Sequence, residues 1–265
     1  ASLKGILWEI RDKFRQPSVI DERRKRHFVA EVMPNVPPLT GEEEAMLEGL
    51  GGLEKKLFTE GKRVKGTLRG GIDKFLWREG KKVWGAFGVT VDKGARGILA
   101  ELSVDTYNHS RQHQINNGNL PKVVRENVDG TRSLIQHQGI HLPNPAKDRL
   151  FESWFTWKEV NLSSRRPAYM LGFVPLQDYP KGKAGFEDLS KDGFVLAESK
   201  GVYIIEEVAQ NVCRVTRIQT VDLNFKSLQK ALLDKAIDYL AKTQLDEANK
   251  LQKKFRRNGK KVDAE

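Results

Sequence analysis

The sequence contains five histidines, and two pairs of them are spaced four residues apart. His109 and His113 would share one face of a helix, as a pair of metal ligands requires. The polar, glycine-containing segment that follows them disfavours a helix, and no Glu separates the two. His137 and His141 lie in a strand-like run, where this spacing separates them by about 13 Å. We therefore expect no metal site.

The remaining candidates for chemistry also lack a catalytic pattern. No nucleophile elbow or dinucleotide fingerprint is present. The glycine-rich residues 66–71 lack the lysine and serine that end a phosphate loop. Glu206 and Glu207 are adjacent on a predicted strand, so their carboxylates point to opposite faces. Cys213 is the single cysteine, which excludes an intrachain disulfide, and its alternating surroundings favour a packed thiol. We expect a protein that is not an enzyme and carries no cofactor.

The charge of the chain is strongly positive, at +11 over 265 residues. Only residues 23–26 and 253–261 are densely basic. Anionic lipid headgroups, as on a membrane surface, and nucleic acid are acidic partners that such a charge attracts, and a larger protein assembly is a further candidate partner. Nucleic acid is disfavoured, because no zinc-finger spacing or aromatic RNA-binding motif accompanies the basic runs. A basic surface that contacts only solvent remains the alternative.

The apolar segments of the chain are short. None approaches the roughly 18 apolar residues that read as a bilayer-spanning helix. The apolar run within residues 1–8 is too short for a secretory signal. With one cysteine, the sequence therefore predicts an intracellular protein, cytoplasmic or organellar, that is soluble to membrane-peripheral and is not secreted.

Residues 1–63 are predicted to form a helical N-terminal extension. One helix covers residues 18–32 and ends at Met33-Pro34. Thr40 is the expected N-cap of a second helix, because three glutamates occupy its first turn. Apolar residues recur there at helical spacing, interrupted by Gly51-Gly52. These are Met46, Leu47, Leu50, Leu53 and Leu57.

Residues 64–257 are predicted to form one domain. Strands are expected at 83–91, 151–160, 168–174, 194–199, 202–208 and 212–223. Asp92 is expected to cap a short helix over 93–104. Asp129-Gly130 between two strand-like runs indicates a hairpin with a type I′ turn. Successive short strands separated by turn residues point to an antiparallel meander.

The chain ends with a predicted long amphipathic helix over residues 227–257, followed by a basic disordered tail at 258–265. Such a helix must bury its apolar face, and the concave side of the sheet is the available surface. The predicted fold is therefore α+β, a helix grip in which a curved antiparallel sheet wraps around the long C-terminal helix.

A curved sheet around one helix leaves space that suits a small apolar ligand. Strand and helix alternation predicts the side chains that line this cavity. They are Phe87, Val89, Phe155, Trp157, Leu171, Ile204, Val215, Arg217, Leu233, Ile237 and Leu240. The alternative is that the aromatic residues are ordinary core and that the polar ones face solvent.

A family resemblance covers most of the chain and rests on the order and spacing of several segments. Residues 65–77, 83–92, 118–121 and 142–151 resemble START (StAR-related lipid-transfer) domains of large multidomain proteins from diatoms, oomycetes and haptophytes. Residues 213–223 and the long helix after them are similar to the end of START domains generally.

The resemblance implies that a lipid, sterol or similar hydrophobic molecule is held under the C-terminal helix without chemistry. The alternative is a START-like scaffold that docks into a larger assembly through its basic arm and tail. An open apolar cavity would distinguish the first from the second.

Overall fold

The computed structural model describes residues 17–63, 72–79, 82–104, 123–140, 148–161, 166–180, 194–224 and 246–256. Nine strands form one sheet in the order β1-β2-β3-β9-β8-β7-β6-β5-β4, and sequential neighbours in this order are antiparallel. The strands are β1 (Lys62–Arg63), β2 (Asp73–Glu79), β3 (Lys82–Val91), β4 (Val123–Asn127), β5 (Leu134–Ile140), β6 (Arg149–Glu159), β7 (Ala168–Pro175), β8 (Val195–Ala209) and β9 (Val212–Asp222).

Helices cover both faces of the sheet. They are α1 (Pro17–His27), which continues as a π-helical turn (Phe28–Val32), α2 (Gly41–Gly51), α3 (Leu53–Glu60), α4 (Ala95–Ser103) and α5 (residues 246–255). The long C-terminal helix was predicted over 227–257, and residues 225–245 lie outside the described part. The predicted α+β helix-grip class is confirmed by the curved antiparallel sheet with its packed helices.

Strand alternation divides most of the described core into two apolar layers. On one face, β3 and β6–β9 pack against α4 and α5, and we call this the Arg217 face after the residue at its centre. On the other, Trp154 and its neighbours pack against α2 and α3, and we call this the Trp154 face. The two helical groups are therefore separated by the sheet.

The helices α2 and α3 form as the sequence predicts. The Thr40 hydroxyl accepts a hydrogen bond from the Glu43 amide, and the Glu43 carboxylate accepts one from the Thr40 amide. Glu43 also accepts from the hydroxyls of Ser133 and Thr156, which ties this helix end to β5 and β6. All five predicted apolar residues of the two helices are buried, and Gly52 separates α2 from α3.

Three local predictions are wrong. Residues 195–209 form one strand rather than two, because Gly201 keeps extended pairing on both sides. Position 201 requires glycine, because the Cβ of any other residue would lie 2.2 Å from the Ile218 carbonyl oxygen. The loop between β4 and β5 has six residues, and Gly130 has a positive φ of 70° whereas Asp129 does not, so the turn is not type I′.

The third wrong prediction concerns the residue that caps the start of α4. Its N-cap residue is Gly94, and the Ala95 amide donates to the Glu207 carboxylate on β8, 3.2 Å away. Asp92 instead donates its backbone amide to the Phe255 carbonyl of α5. The Glu207 carboxylate of β8 thus caps the start of α4, where the side chain of Asp92 was expected to do so. In the described part of the chain, no helix is long and apolar enough to cross a bilayer.

Candidate functional site: a polar pair within an apolar sheet face

One row of side chains runs across five strands on the Arg217 face. Direct cross-strand pairing joins β3, β9, β8, β7 and β6 in register. The row consists of Phe87, Arg217, Tyr203, Leu171 and Trp157. A neighbouring row, of Val89, Val215, Ile205 and Tyr169, is wholly buried. Within these two rows, Arg217 is the one charged side chain.

Arg217 is enclosed by aromatic rings and one carboxylate. Its guanidinium carbon lies 5.0 Å from the centroid of Tyr203 and 5.8 Å from that of Phe173. Its side chain is 15% exposed and forms an ion pair with Glu247 of α5. The Tyr203 hydroxyl donates to the same carboxylate at 2.6 Å. Burial lowers the pKa of Arg217, yet arginine stays charged because its ordinary value is so high.

The next row carries a second buried polar group, Gln219. Its direct neighbours on both sides are glycines, Gly85 on β3 and Gly201 on β8, and the Phe173 ring lies over Gly201. Gln219 is 3% exposed, and its Oε1 has no hydrogen-bond partner among the described residues. The Nε of Arg217, two residues away on the same strand face, is also buried and has no partner within the part of the chain that the structure describes. A donor and an acceptor that no described group satisfies thus lie on the same face of β9, two residues apart.

The N-terminal segment closes the Trp157 end of this face. Phe28 packs edge-to-face on Trp157, with ring centroids 6.1 Å apart, and Met33 and Val36 pack against the same cluster. Arg132 places its guanidinium 5.1 Å from the Trp157 ring and donates to the Pro37 carbonyl at 2.8 Å. The segment predicted as an extension therefore supplies side chains to the core layer of the candidate site.

An ion-pair network joins this segment to the end of the chain. Glu101 of α4 accepts from Lys25 of α1 at 2.9 Å and from Lys254 of α5. Burial alone would raise the pKa of Glu101, but hydrogen bonds from the two lysines outweigh it and hold the pKa below its usual value. Three elements that are distant in sequence therefore share one carboxylate.

The predicted site residues separate into three groups. Most lie on the Arg217 face or against its apolar cluster: Phe87, Val89, Phe155, Trp157, Leu171, Val215 and Arg217. Ile204 is a correction, because it packs with the Trp154 face while Tyr203 and Ile205 hold the Arg217 face. Leu233, Ile237 and Leu240 lie outside the described residues.

Sequence reasoning missed Tyr203, Glu247 and Phe28 as site residues. Tyr203 was missed because the face assumed for β8 was wrong by one residue, so that Ile204 rather than Tyr203 was placed in the site. Glu247 and Phe28 have no local signal, since their roles depend on contacts with distant strands.

His137, from one of the two histidine pairs, and the single cysteine Cys213 are both buried in the core. His137 is buried, with its Nδ1 3.4 Å from the Glu152 carboxylate directly across β5 and β6. His109, His113 and His141 lie outside the described residues. Within the described ranges, no group of three or more His, Cys, Asp or Glu could hold a metal ion. Burial, with a smaller effect of the Glu207 charge, raises the pKa of the Cys213 thiol to about 12.

Two open surface cavities are lined by described residues, and both lie away from Arg217. One of about 700 Å³ lies beside α2, between Gly41, Ala45 and Gly49 and the side chains of Trp154 and Val174. The other, of about 520 Å³, surrounds the start of α4.

A nine-stranded antiparallel sheet with helices on both faces and a helix near the C-terminus defines the chain as a helix-grip protein. Among solved structures it is similar to START domains. Human STARD10 shares 15% identity at a TM-score of 0.58, covering 86% of this chain and 84% of that one.

The lipid transfer and protein localization domain of human StarD13 shares 16% identity at a TM-score of 0.57, covering 80% of this chain and 97% of that one. A STAR-related lipid transfer protein fragment from Xanthomonas axonopodis shares 15% identity at a TM-score of 0.55, covering 75% and 99%. The chain therefore has the fold of START domains. No family model matches it, and no curated protein matches it in sequence.

Proposed function

We propose that the chain binds or transfers a lipid, sterol or similar hydrophobic molecule on the Arg217 face, without catalysing a reaction. The observation that carries the proposal is a pair of buried atoms, Arg217 Nε and Gln219 Oε1, that have no partner among the described residues and lie within an otherwise apolar face. Buried polar atoms normally have partners, and such exceptions require an explanation. A ligand headgroup that both accepts and donates a hydrogen bond would satisfy both atoms.

Apolar area alone does not select this ligand. A lipid that leaves a bilayer leaves an apolar phase, so the ~0.8 kcal/mol per methylene of burial largely cancels. Discrimination must come from the polar contacts and from the shape of the site. Arg217 and Gln219 fit this role, because each has hydrogen-bonding capacity that the described protein groups leave unused.

The fold supports the same proposal. The similar solved structures include proteins named for lipid transfer, at identities of 12–16%. We further propose that residues 64–257 are a START unit of the kind found in large multidomain proteins of diatoms, oomycetes and haptophytes. In this proposal residues 1–63 are its helical lead-in and residues 258–265 its tail, and the chain acts inside the cell.

Native mass spectrometry of the purified protein, followed by solvent extraction and lipid identification, tests the proposal. We expect a stoichiometric bound lipid or sterol. Gln219→Leu removes the amide at nearly constant volume and should weaken retention about fivefold, since one hydrogen bond contributes ~1 kcal/mol.

The matched control is Thr216→Val, which removes a hydroxyl from the opposite face of the same strand and should retain the ligand. A clean ligand-free mass that stays unchanged after incubation with mixed liposomes would contradict the proposal. That result would favour a scaffold that docks into a larger assembly.

A further inference from the structure

The two dense basic runs of the sequence meet in the folded chain. Residues 23–26 belong to α1, and the described part of the second run, 253–256, lies at the end of α5. Lys25 from the first run and Lys254 from the second bind the same carboxylate, that of Glu101. The two runs therefore lie on either side of one residue, although they are separated by most of the chain.

The outer side chains of both runs are cationic. Arg26, Lys253 and Arg256 are exposed, as is Lys250 three residues before the second run, and Arg24 is half-buried. Glu101 of the neighbouring α4 and Glu247 of α5 are engaged in inward ion pairs and Glu22 of α1 pairs with Lys25, whereas Asp246 at the start of α5 is exposed. We define the composite basic surface as the cations Arg24, Arg26, Lys250, Lys253 and Arg256. Bringing the runs together concentrates positive potential that neither run produces alone.

Apolar groups lie next to these charges. The ammonium groups of Lys93 and Lys254 lie 5.9 and 5.6 Å from the centroid of the Phe255 ring. Val32, which follows the first basic run, is one of three large apolar side chains exposed among the described residues, at 38%. Cationic side chains around apolar ones suit the interface of a bilayer, where aliphatic stems lie in the apolar region and charges meet headgroups.

We propose that the composite basic surface docks onto an anionic lipid bilayer. The proposal deepens the proposed function and rests on it, because a lipid ligand is the reason to favour a bilayer over other polyanions. The position of the composite basic surface in the fold also supports the docking proposal. The segment that carries Arg26 continues directly into Phe28, which closes the Trp157 end of the Arg217 face. A bilayer bound here lies next to the segment that closes the proposed ligand site.

The test is flotation of the full chain with vesicles of one part phosphatidylserine to three parts phosphatidylcholine, compared with pure phosphatidylcholine. The variant R26Q/K253Q removes one exposed cation from each run. The control K55Q/K62Q removes the same charge from exposed positions on α3 and β1. Each cation near an anionic surface contributes ~1 kcal/mol, so the first variant should bind the anionic vesicles about 30-fold more weakly at low salt, while the control binds like the wild type.

Binding by the wild type to anionic vesicles alone, its loss in high salt and the difference between the two variants together support the proposal. Equal weakening of both variants would overturn it, because net charge would then explain the binding. Tighter binding to an RNA oligomer, sensitive to R26Q/K253Q, would also overturn it and identify nucleic acid as the partner. Native mass spectrometry separates the two proposals: a wild type that keeps its lipid but ignores vesicles refutes docking alone.

Discussion

Replacing Arg217 by methionine tests whether its ion pair with Glu247 holds α5 on the sheet. Methionine fills a similar volume and keeps contact with the rings of Tyr203 and Phe173. It leaves the Glu247 carboxylate with the Tyr203 hydroxyl but without its cation. The side chains of Arg217 and Glu247 are 15% and 26% exposed, so the pair lies between the surface and the fully buried case.

The expected magnitude follows from these two limits. Breaking a buried pair by removing one partner costs ~3–5 kcal/mol, and an exposed pair contributes at most about 1 kcal/mol. We expect Arg217→Met to lower the free energy of unfolding by about 2 kcal/mol. The double variant R217M/E247Q removes both charges and keeps an acceptor for the Tyr203 hydroxyl. It should therefore recover at least half of this loss.

Urea unfolding followed by tryptophan fluorescence and by circular dichroism measures each free energy, and coincident transitions establish two-state behaviour. Arg214→Met is the matched control, because Arg214 lies on the same strand and pairs with Asp73 at 3.0 Å, but its side chain is 41% exposed. Its loss should stay below about 1 kcal/mol. A double variant as unstable as R217M, or equal losses at Arg214 and Arg217, would refute the reasoning.

Three further predictions concern attachment, packing and thiol chemistry. Glu101→Gln should speed hydrogen exchange over residues 17–37 about tenfold, since a mostly buried ion pair, with Lys25 9% and Glu101 12% exposed, contributes ~1–2 kcal/mol. Because the pKa of Glu101 is lowered in the fold, its contribution is complete above the ordinary glutamate pKa and is lost as the pH falls through the lowered value, which exchange at several pH values measures. Gly172→Ala places a methyl 2.7 Å from Leu50 and should cost ~1–3 kcal/mol in urea unfolding, whereas Gly49→Ala, whose methyl meets nothing within 4 Å, should gain about 0.5–1 kcal/mol. With its pKa near 12, the Cys213 thiol should react with a disulfide reagent about a thousandfold more slowly in the folded than in the urea-unfolded chain.

Each of these has a clear contrary result. Unchanged exchange in Glu101→Gln would show that apolar packing alone holds the N-terminal segment. Equal effects at Gly172 and Gly49 would contradict the close approach of α2 to β7. Rapid modification of Cys213 in the native protein would mean that this part of the core opens readily.

Elements with a local signal were predicted well. The Thr40 cap and the apolar spacing after it specify α2 and α3, because capping and helical periodicity depend on residues within a few positions. The strands β3, β6, β7 and β9 follow from alternation over short runs. β2 was not predicted as a strand, since Asp73–Glu79 alternates poorly and obtains its register from pairing with β3.

The sequence by itself determined the fold class and most of the residues on the Arg217 face, because both depend on alternation that is visible along the chain. Only the tertiary structure decided which face of β8 is involved, where a shift of one residue exchanges Ile204 for Tyr203. It also decided that Glu247 meets Arg217 and that Lys25 and Lys254 share Glu101. Such pairings join residues far apart in the chain, and their energies depend on burial and distance, which no local pattern encodes.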